Sequence, residues 1–251
     1  MLFYRSSGNG NPVIFIHGFA HSHKYWLRVI SRLPQDQFRC VAPDNLGFGR
    51  SDRPRSDYAV QAHANELVAI IKQYDHVTLV GHSMGATIAA YIAREHPELV
   101  KKLILVNPIL FEDMSDARQK IYKKVPIFYK LYLSPAGVIL FGIHRSRLIR
   151  LALQRATQEH VLRGIFQDYL HHSRRSLVLS LRNLILRHNL IDDIAALQQP
   201  VEIVYSLDDP FYSRQGLQVV DRLSHVTATE MPGGHKIPLK SAERLAALIA
   251  S

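Results

Sequence analysis

The sequence predicts a doubly wound, mostly parallel α/β sheet with an inserted helical cap, and three observations carry that expectation. Short runs of apolar, β-branched residues alternate with helical periodicity along most of the chain, as in strands buried on both faces of a parallel sheet. The alternation stops between residues 111 and 190, where only helical spacing rich in Leu, Ile, Arg and aromatic residues remains. It resumes at Val201-Glu202-Ile203-Val204-Tyr205. The core therefore comprises residues 1–110 and 191–251, and residues 111–190 form a cap above one edge of the sheet.

Leu2-Phe3-Tyr4-Arg5 reads as a short first strand, turned by a Ser, Gly, Asn and Pro cluster over 6–12. Val13-Ile14-Phe15-Ile16-His17 is a buried strand that leads into His17-Gly18-Phe19. Tyr25, Trp26, Val29, Ile30 and Leu33 have helical spacing, stopped by Pro34, with Trp26 as the core anchor of that helix. Phe38–Ala42 is the next strand, and Cys40 within it reads as a buried structural thiol. The connection after it holds Gly47-Phe48-Gly49. It lacks the further glycine or the Gly-Lys-Ser/Thr ending of a phosphate loop, so it reads as a turn. A helix is expected from about Tyr58 to Gln73, and strands at Leu103–Val106 and near Val226–Met231. A helix near Arg214–Leu223 and a closing helix from about Leu239 complete the core.

The stretch that organises these elements is Val77-Thr78-Leu79-Val80-Gly81-His82-Ser83-Met84-Gly85-Ala86. An apolar run ends on glycine, a serine follows, and an alanine-rich helical pattern begins at once. That is strand, sharp turn and helix with Ser83 at the apex, the spacing of a nucleophile elbow. Gly81 and Gly85 flank it because side chains there would collide where strand and helix close on the turn. The helix after Ser83 aims its unpaired N–H groups and positive dipole end at the site.

Composition bounds the rest. The chain has 251 residues, 47% apolar and 21% charged, enough for a full core and too apolar for disorder. A single cysteine excludes a disulfide within the chain and suits a reducing compartment. Gly8 and Gly10 arrive too early for a secretory apolar region, and the longest central apolar stretch, 131–143, is broken by Pro135, Gly137 and Gly142. The expected location is the cytoplasm. The net charge of +10 is uneven: residues 111–190 hold 14 Lys and Arg against 5 Asp and Glu, so a nearly neutral core carries a basic insert.

A hydrolytic serine needs a base to take its proton, an acid to orient that base, and donors for the oxyanion. His235 follows the last strand after Gly233 and Gly234, on the same sheet edge as Ser83. The acid should follow the preceding strand, where Asp208 and Asp209 are both candidates. Together with His17-Gly18-Phe19, Pro43-Asp44, Gly47-Phe48-Gly49-Arg50-Ser51, Gly81-His82-Ser83-Met84-Gly85, Asp209-Pro210 and Gly234-His235, the sequence resembles the α/β-hydrolase family over nearly its whole length. The family uses the chain order Ser, Asp, His. Its Gly-x-x-Asp pattern, with Ser206 in the glycine place, implies Asp209 as the acid rather than Asp208. The resemblance also implies an oxyanion hole made by the backbone N–H groups of Phe19 and Met84, with His17 organising its loop. Many members have another strand ahead of the one at Leu2–Arg5, so this chain is minimal at that edge or begins late.

Relatives that open epoxides or displace halide carry aspartate at the elbow, so Ser83 implies acyl transfer from an ester, thioester or lactone through an acyl-enzyme. No cofactor and no metal is expected: His21-x-His23 and His171-His172 lack matching carboxylates or cysteines and read as packing or solvated histidines. The cap sets the substrate. Its apolar groups at 125–133 and 138–141 pack helices and line an acyl pocket. Its arginines (145, 147, 150, 155, 174, 175, 182 and 187) form either a solvated face or a docking surface. The partners weighed are an acidic acyl-carrier protein delivering its ester, as for some carrier-dependent esterases of the family, and an anionic membrane surface. Nucleic acid is disfavoured, since no recognised nucleic-acid module is present. The function expected is a carboxylic ester hydrolase. A C–C bond hydrolase or acyltransferase would use the same triad, and a non-catalytic ligand-binding relative is the alternative outside enzymes.

Overall fold

Continuous apolar runs become the strands of one sheet. The computed structural model describes residues 1–124 and 172–251, so the part of the expected 111–190 cap between 125 and 171, including Arg145, Arg147, Arg150, Arg155 and His171, lies outside the described residues. The strands are β1 (Tyr4–Ser7), β2 (Asn11–Ile16), β3 (Phe38–Pro43), β4 (Val77–His82), β5 (Val100–Val106), β6 (Val201–Tyr205) and β7 (Val226–Glu230). They lie in the order β1-β3-β2-β4-β5-β6-β7. Every pairing is parallel except β1 with β3, where Tyr4 faces Pro43.

Alternation along each strand assigns its side chains to two cores. Ile14, Ile16, Leu79, Leu103 and Leu105 enter one. Val13, Phe15, Val80, Ile104 and Val106 enter the other. The first face is covered by α2 (Val60–Ile71), α3 (Met84–Glu95) and the helices Leu190–Ala196 and Arg214–Val220. The second is covered by α1 (Leu27–Ile30) and the closing helices Ile237–Lys240 and Ala242–Ala250. Apolar burial on both faces is why these strands read as unbroken hydrophobic runs.

The chain leaves β2 outward to β3, then returns to place β4 on the other side of β2. The strand order reverses there, and the crevice beyond the carboxyl ends of β2 and β4 is where such sheets bind ligands. Between β5 and β6 the described chain forms α4 (Met114–Lys124), the helix Arg174–Ser180 and a π-helical turn at Leu181–Ile185. Among the described residues no helix is long and apolar enough to cross a membrane.

Two boundaries differ from the sequence reading for local reasons. The helix expected through Leu33 is a 3₁₀ turn at His23–Trp26, capped by the Ser22 hydroxyl, followed by only four α-helical residues. Helix α2 starts at Val60 rather than Tyr58, because Tyr58 sits at φ +53° with its ring buried and its hydroxyl on the Pro54 carbonyl at 2.9 Å. Trp26 is fully buried against Phe15, ring centroids 5.4 Å apart. Cys40 is buried, and burial pushes its thiol up to about 11.

Candidate active site

Ser83 stands between β4 and α3 with φ +52° and ψ −116°, a region an L-residue enters at a cost of about 1–3 kcal/mol. Close packing holds it there. A Cβ on Gly81 would lie 2.4 Å from the Gly85 carbonyl oxygen, and one on Gly85 would lie 2.2 Å from that of Ile16. The Ser83 N–H donates to the Val106 carbonyl at 2.9 Å, and the Ser83 carbonyl accepts the Ala86 N–H at 2.9 Å. Met84 is the first residue of α3 and is buried. Phe19, on the loop after β2, lines the same cavity as Ser83.

That loop is organised by His17. The Asn45 N–H donates to His17 Nε2 at 2.9 Å, which leaves the ring proton on Nδ1, 2.7 Å from the Gly18 carbonyl. Asn45 Nδ2 also donates to the His17 carbonyl at 2.9 Å. Beneath it the buried Asp44 carboxylate accepts from the His23 N–H (2.6 Å), His23 Nδ1 (2.8 Å) and the Arg50 N–H (2.8 Å). Burial alone would raise the Asp44 carboxyl, but the His23 hydrogen bond and the neighbouring His17 and His23 rings hold it below the usual range. Gly49 turns at φ +51° against Asp44, where a Cβ would lie 2.2 Å from the carboxylate. The Gly47-Phe48-Gly49 segment is thus a turn wrapped around an acid.

His235 follows Gly233 and Gly234, which adopt φ +134° and +57°. Its Nδ1 lies 2.8 Å from Asp209 Oδ2. The same carboxylate oxygen accepts from Asn107 Nδ2 at 2.7 Å, and Asp209 Oδ1 accepts the Phe211 N–H at 2.8 Å. Asp209 is buried whereas Asp208 is exposed. Ser206, in the place where the family pattern has glycine, uses its hydroxyl oxygen to accept the Gly234 N–H at 3.1 Å and so ties the Asp209 loop to the His235 loop. Asp209, His235 and Ser83 all belong to the sheet's C-terminal edge, and His235 and Ser83 line one cavity.

That cavity measures about 190 Å³. Among the described residues its walls are Phe19, Ile109, Ile121, Leu181, Ile185 and Phe211, with His21, His82, Ser83 and His235 as the polar groups. Four of its members lie above the sheet edge, between β5 and β6: Ile109, Ile121 of α4, and Leu181 and Ile185 of the π-helical turn. The site can therefore hold an apolar group against a serine and an imidazole.

Several polar supports gave no sequence signal. Asn107 is a polar residue ending an apolar strand, the one hint available for it, and it adopts φ +48°. His82 is buried and donates from Nε2 to the His235 carbonyl at 3.0 Å, where the Tyr25 hydroxyl also donates at 3.3 Å. Burial first, then the His235 and His21 rings, keep His82 well below the usual histidine range. His21 stacks on Tyr25 with ring centroids 4.1 Å apart. Of the histidines weighed as ligands, His23 is committed to Asp44 and His172 Nδ1 accepts the Gly49 N–H at 3.2 Å. Among the described residues no group of three or more His, Cys, Asp or Glu is placed to hold a metal.

The family model for the alpha/beta hydrolase fold matches residues 11–239. An uncharacterised protein of Mycobacterium tuberculosis is 36% identical over 153 residues, 60% of this chain and 42% of that protein. The chain thus spans about two fifths of the length of the curated relatives it first matches. The solved structure of N-formylmaleamic acid deformylase from Pseudomonas putida S16 superposes with a TM-score of 0.78 at 20% identity, covering 100% of this chain and 95% of that one. An esterase from Exiguobacterium antarcticum does so with a TM-score of 0.74 at 18% identity, covering 99% and 93%.

Proposed function

Since the chain belongs to the alpha/beta hydrolase fold family, we propose that it is a serine hydrolase of carboxylic esters with Ser83, His235 and Asp209 as its triad. The observation that carries this reading is the His235 Nδ1 to Asp209 hydrogen bond, with His235 and Ser83 lining one apolar cavity. Asp209 fixes the ring with its proton on Nδ1, so Nε2 is the basic nitrogen. Ser83 Oγ attacks the acyl carbon and Nε2 takes its proton. The tetrahedral oxyanion is held by the N–H groups of Phe19 and Met84, at the positive end of α3. Collapse expels the alcohol, which takes the proton back from Nε2, and leaves an acyl-Ser83 ester. Water, deprotonated by the same nitrogen, releases the acid and restores the enzyme.

A serine rather than an aspartate at the elbow favours acyl transfer over epoxide opening. The apolar walls favour an acyl chain over a polar one. The insert between β5 and β6, with 111–190 as its extent, serves as the cap, and its basic face receives a carrier-bound ester. The single cysteine supports the cytoplasm as the place of action.

The test is hydrolysis of p-nitrophenyl esters of increasing acyl length, with Ser83→Ala as the blank. Turnover with a length optimum that disappears in the variant supports the reading. Equal turnover in Ser83→Ala would place the chemistry elsewhere, and stoichiometric labelling without release would make the protein a binder.

A further inference from the structure

The two segments that roof the candidate active site have a second face. Helix α4 and the π-helical turn turn Ile121, Leu181 and Ile185 into the apolar cavity. One helical turn before Ile121, and next in chain to Leu181 and Ile185, stand Arg118, Arg182 and Leu186. With Arg187 these residues line a separate cleft of about 210 Å³. Among the described residues, three guanidinium groups thus border one small concavity beside the segments that wall the apolar cavity.

Part of this is explained by the fold. Arg118 Nε donates to the Leu186 carbonyl at 3.0 Å, satisfying a backbone acceptor at the end of the π-helical turn, and a cation near a helix C-terminus is favourable. Arg182 and Arg187 have no such duty. Both are exposed, and neither forms an ion pair with a carboxylate among the described residues. Arg118 has the Asp113 carboxylate close enough to attract it, but Arg182 and Arg187 converge with no carboxylate partner among the described residues, whereas a solvated helix face normally interleaves acids with bases. Such an arrangement repels itself until an anion of high charge enters. Guanidinium forks match phosphate oxygens two at a time, which gives geometry as well as attraction.

We infer that the Arg118, Arg182 and Arg187 cleft is a phosphate subsite, and that the substrate is an acyl ester or thioester whose alcohol or thiol bears a phosphate group. This rests on the esterase reading above and names its substrate class. A helix with its side chains is about 10–12 Å across, so the phosphate sits roughly that far from the apolar cavity. It is therefore several bonds removed from the carbonyl that Ser83 attacks, and takes no part in the bond changes. The acyl chain occupies the apolar cavity, and the phosphate anchors the leaving half outside it. An acylated glycerol phosphate and an acyl thioester of a phosphorylated pantetheine both have this form.

The experiment compares kcat/KM for octanoylglycerol 3-phosphate with that for octanoylglycerol, in the unmodified chain and in Arg182→Gln/Arg187→Gln. Arg118 is left in place because it holds backbone. A control, Arg222→Gln/Arg244→Gln, removes the same charge from exposed positions elsewhere. The preference for the phosphate ester should fall about tenfold to a hundredfold in the cleft variant, the loss expected from removing charge-assisted hydrogen bonds, and chiefly through KM. An unchanged preference, or an equal fall in the control, would overturn the proposal. Titration calorimetry of octanoylglycerol 3-phosphate into Ser83→Ala, with and without the cleft substitutions, reads the subsite without turnover. Ser83-dependent hydrolysis with no phosphate preference would sink the subsite and leave the esterase. Arginine-dependent binding with hydrolysis surviving in Ser83→Ala would do the reverse. Octanoyl phosphopantetheine in parallel separates the soluble from the lipid source, and arginine-dependent preference for either supports the site.

Discussion

The two halves of the candidate site are held in place by different physics. At the elbow, Ser83 is confined by contacts that leave no room: Gly81 and Gly85 face backbone at distances where a Cβ could not exist, and the residue between them is forced to positive φ. Across the cavity, Asp209 and His235 sit on loops after β6 and β7, where hydrogen bonds replace steric confinement. Asn107, Phe211, Ser206, His82 and Tyr25 each contribute one. Ser83 is positioned by what cannot fit, and His235 by what must be paired. Close packing is rigid and gives no graded response to mutation, whereas a polar network can lose one member and remain folded.

Substitutions can separate these two kinds of support. Ser83→Ala should lower kcat by about four to six orders of magnitude with the melting temperature little changed, since the backbone and not the hydroxyl is confined. Rate constants on a p-nitrophenyl ester beside thermal melts read both, and a residual rate within tenfold of the original would remove Ser83 from the chemistry. Next in size is the acid. Asp209→Asn should cost up to about 10⁴ in kcat because the imidazole would be held in the wrong tautomer. Asp208→Asn should stay within about twofold, its side chain being exposed. The opposite ranking in steady-state kinetics would reassign the acid and unsettle the comparison at its base.

The contrast also explains what could be read from the chain. Steric confinement leaves glycines at fixed offsets, so the strand, the elbow and the helix after it were legible from residues 77–90 alone. The sheet was legible for a related reason: strand segments buried on both faces are apolar, as 13–16 of β2, 79–80 of β4 and 103–106 of β5 are. Residues that pair across the fold leave no local periodicity. Asn107 is 102 positions from Asp209, and His82 is 153 from His235, so nothing nearby marks either partnership. Ser206 read as a departure from the glycine of relatives, yet its hydroxyl ties the loop that the missing glycine would only have turned. Between the adjacent acids the family spacing already favoured Asp209, and the fold buries it while leaving Asp208 exposed. The 3₁₀ turn at His23–Trp26 was hidden for another reason, since its apolar spacing also fits an α-helix.

Asn107 offers the intermediate test. Asn107→Gly keeps φ near +48° without strain and removes only the donor to Asp209. The expected result is a fall of about tenfold to a hundredfold in kcat, with KM nearly unchanged and the fold retained, as befits a residue acting through the carboxylate. Stopped-flow acylation rates would check it. A loss of thermal stability that accounts for the whole effect would mean that this loop too is held by packing.

The smallest effect concerns how the segment between β5 and β6 is pinned to α2. His63 on α2 is fully buried with Nε2 3.1 Å from the Ser180 hydroxyl, at the end of the helix that leads into the π-helical turn. Burial pushes its imidazole down to about 3, against about 6.5 for a histidine in an unfolded chain. Between those two values the unfolded state binds a proton that the folded state refuses, so stability is complete above about pH 6.5 and falls as the pH falls. The slope from this one group is at most about 1.4 kcal/mol per pH unit, and the similarly lowered His172 adds to it. His63→Gln removes the titrating ring and should flatten the dependence by one proton between pH 6 and 4, as read by chemical denaturation at each pH. If the slope is the same with and without the histidine, the ring accepts a proton in the folded state. The contact between α2 and the helix Arg174–Ser180 would then be looser than a buried hydrogen bond allows.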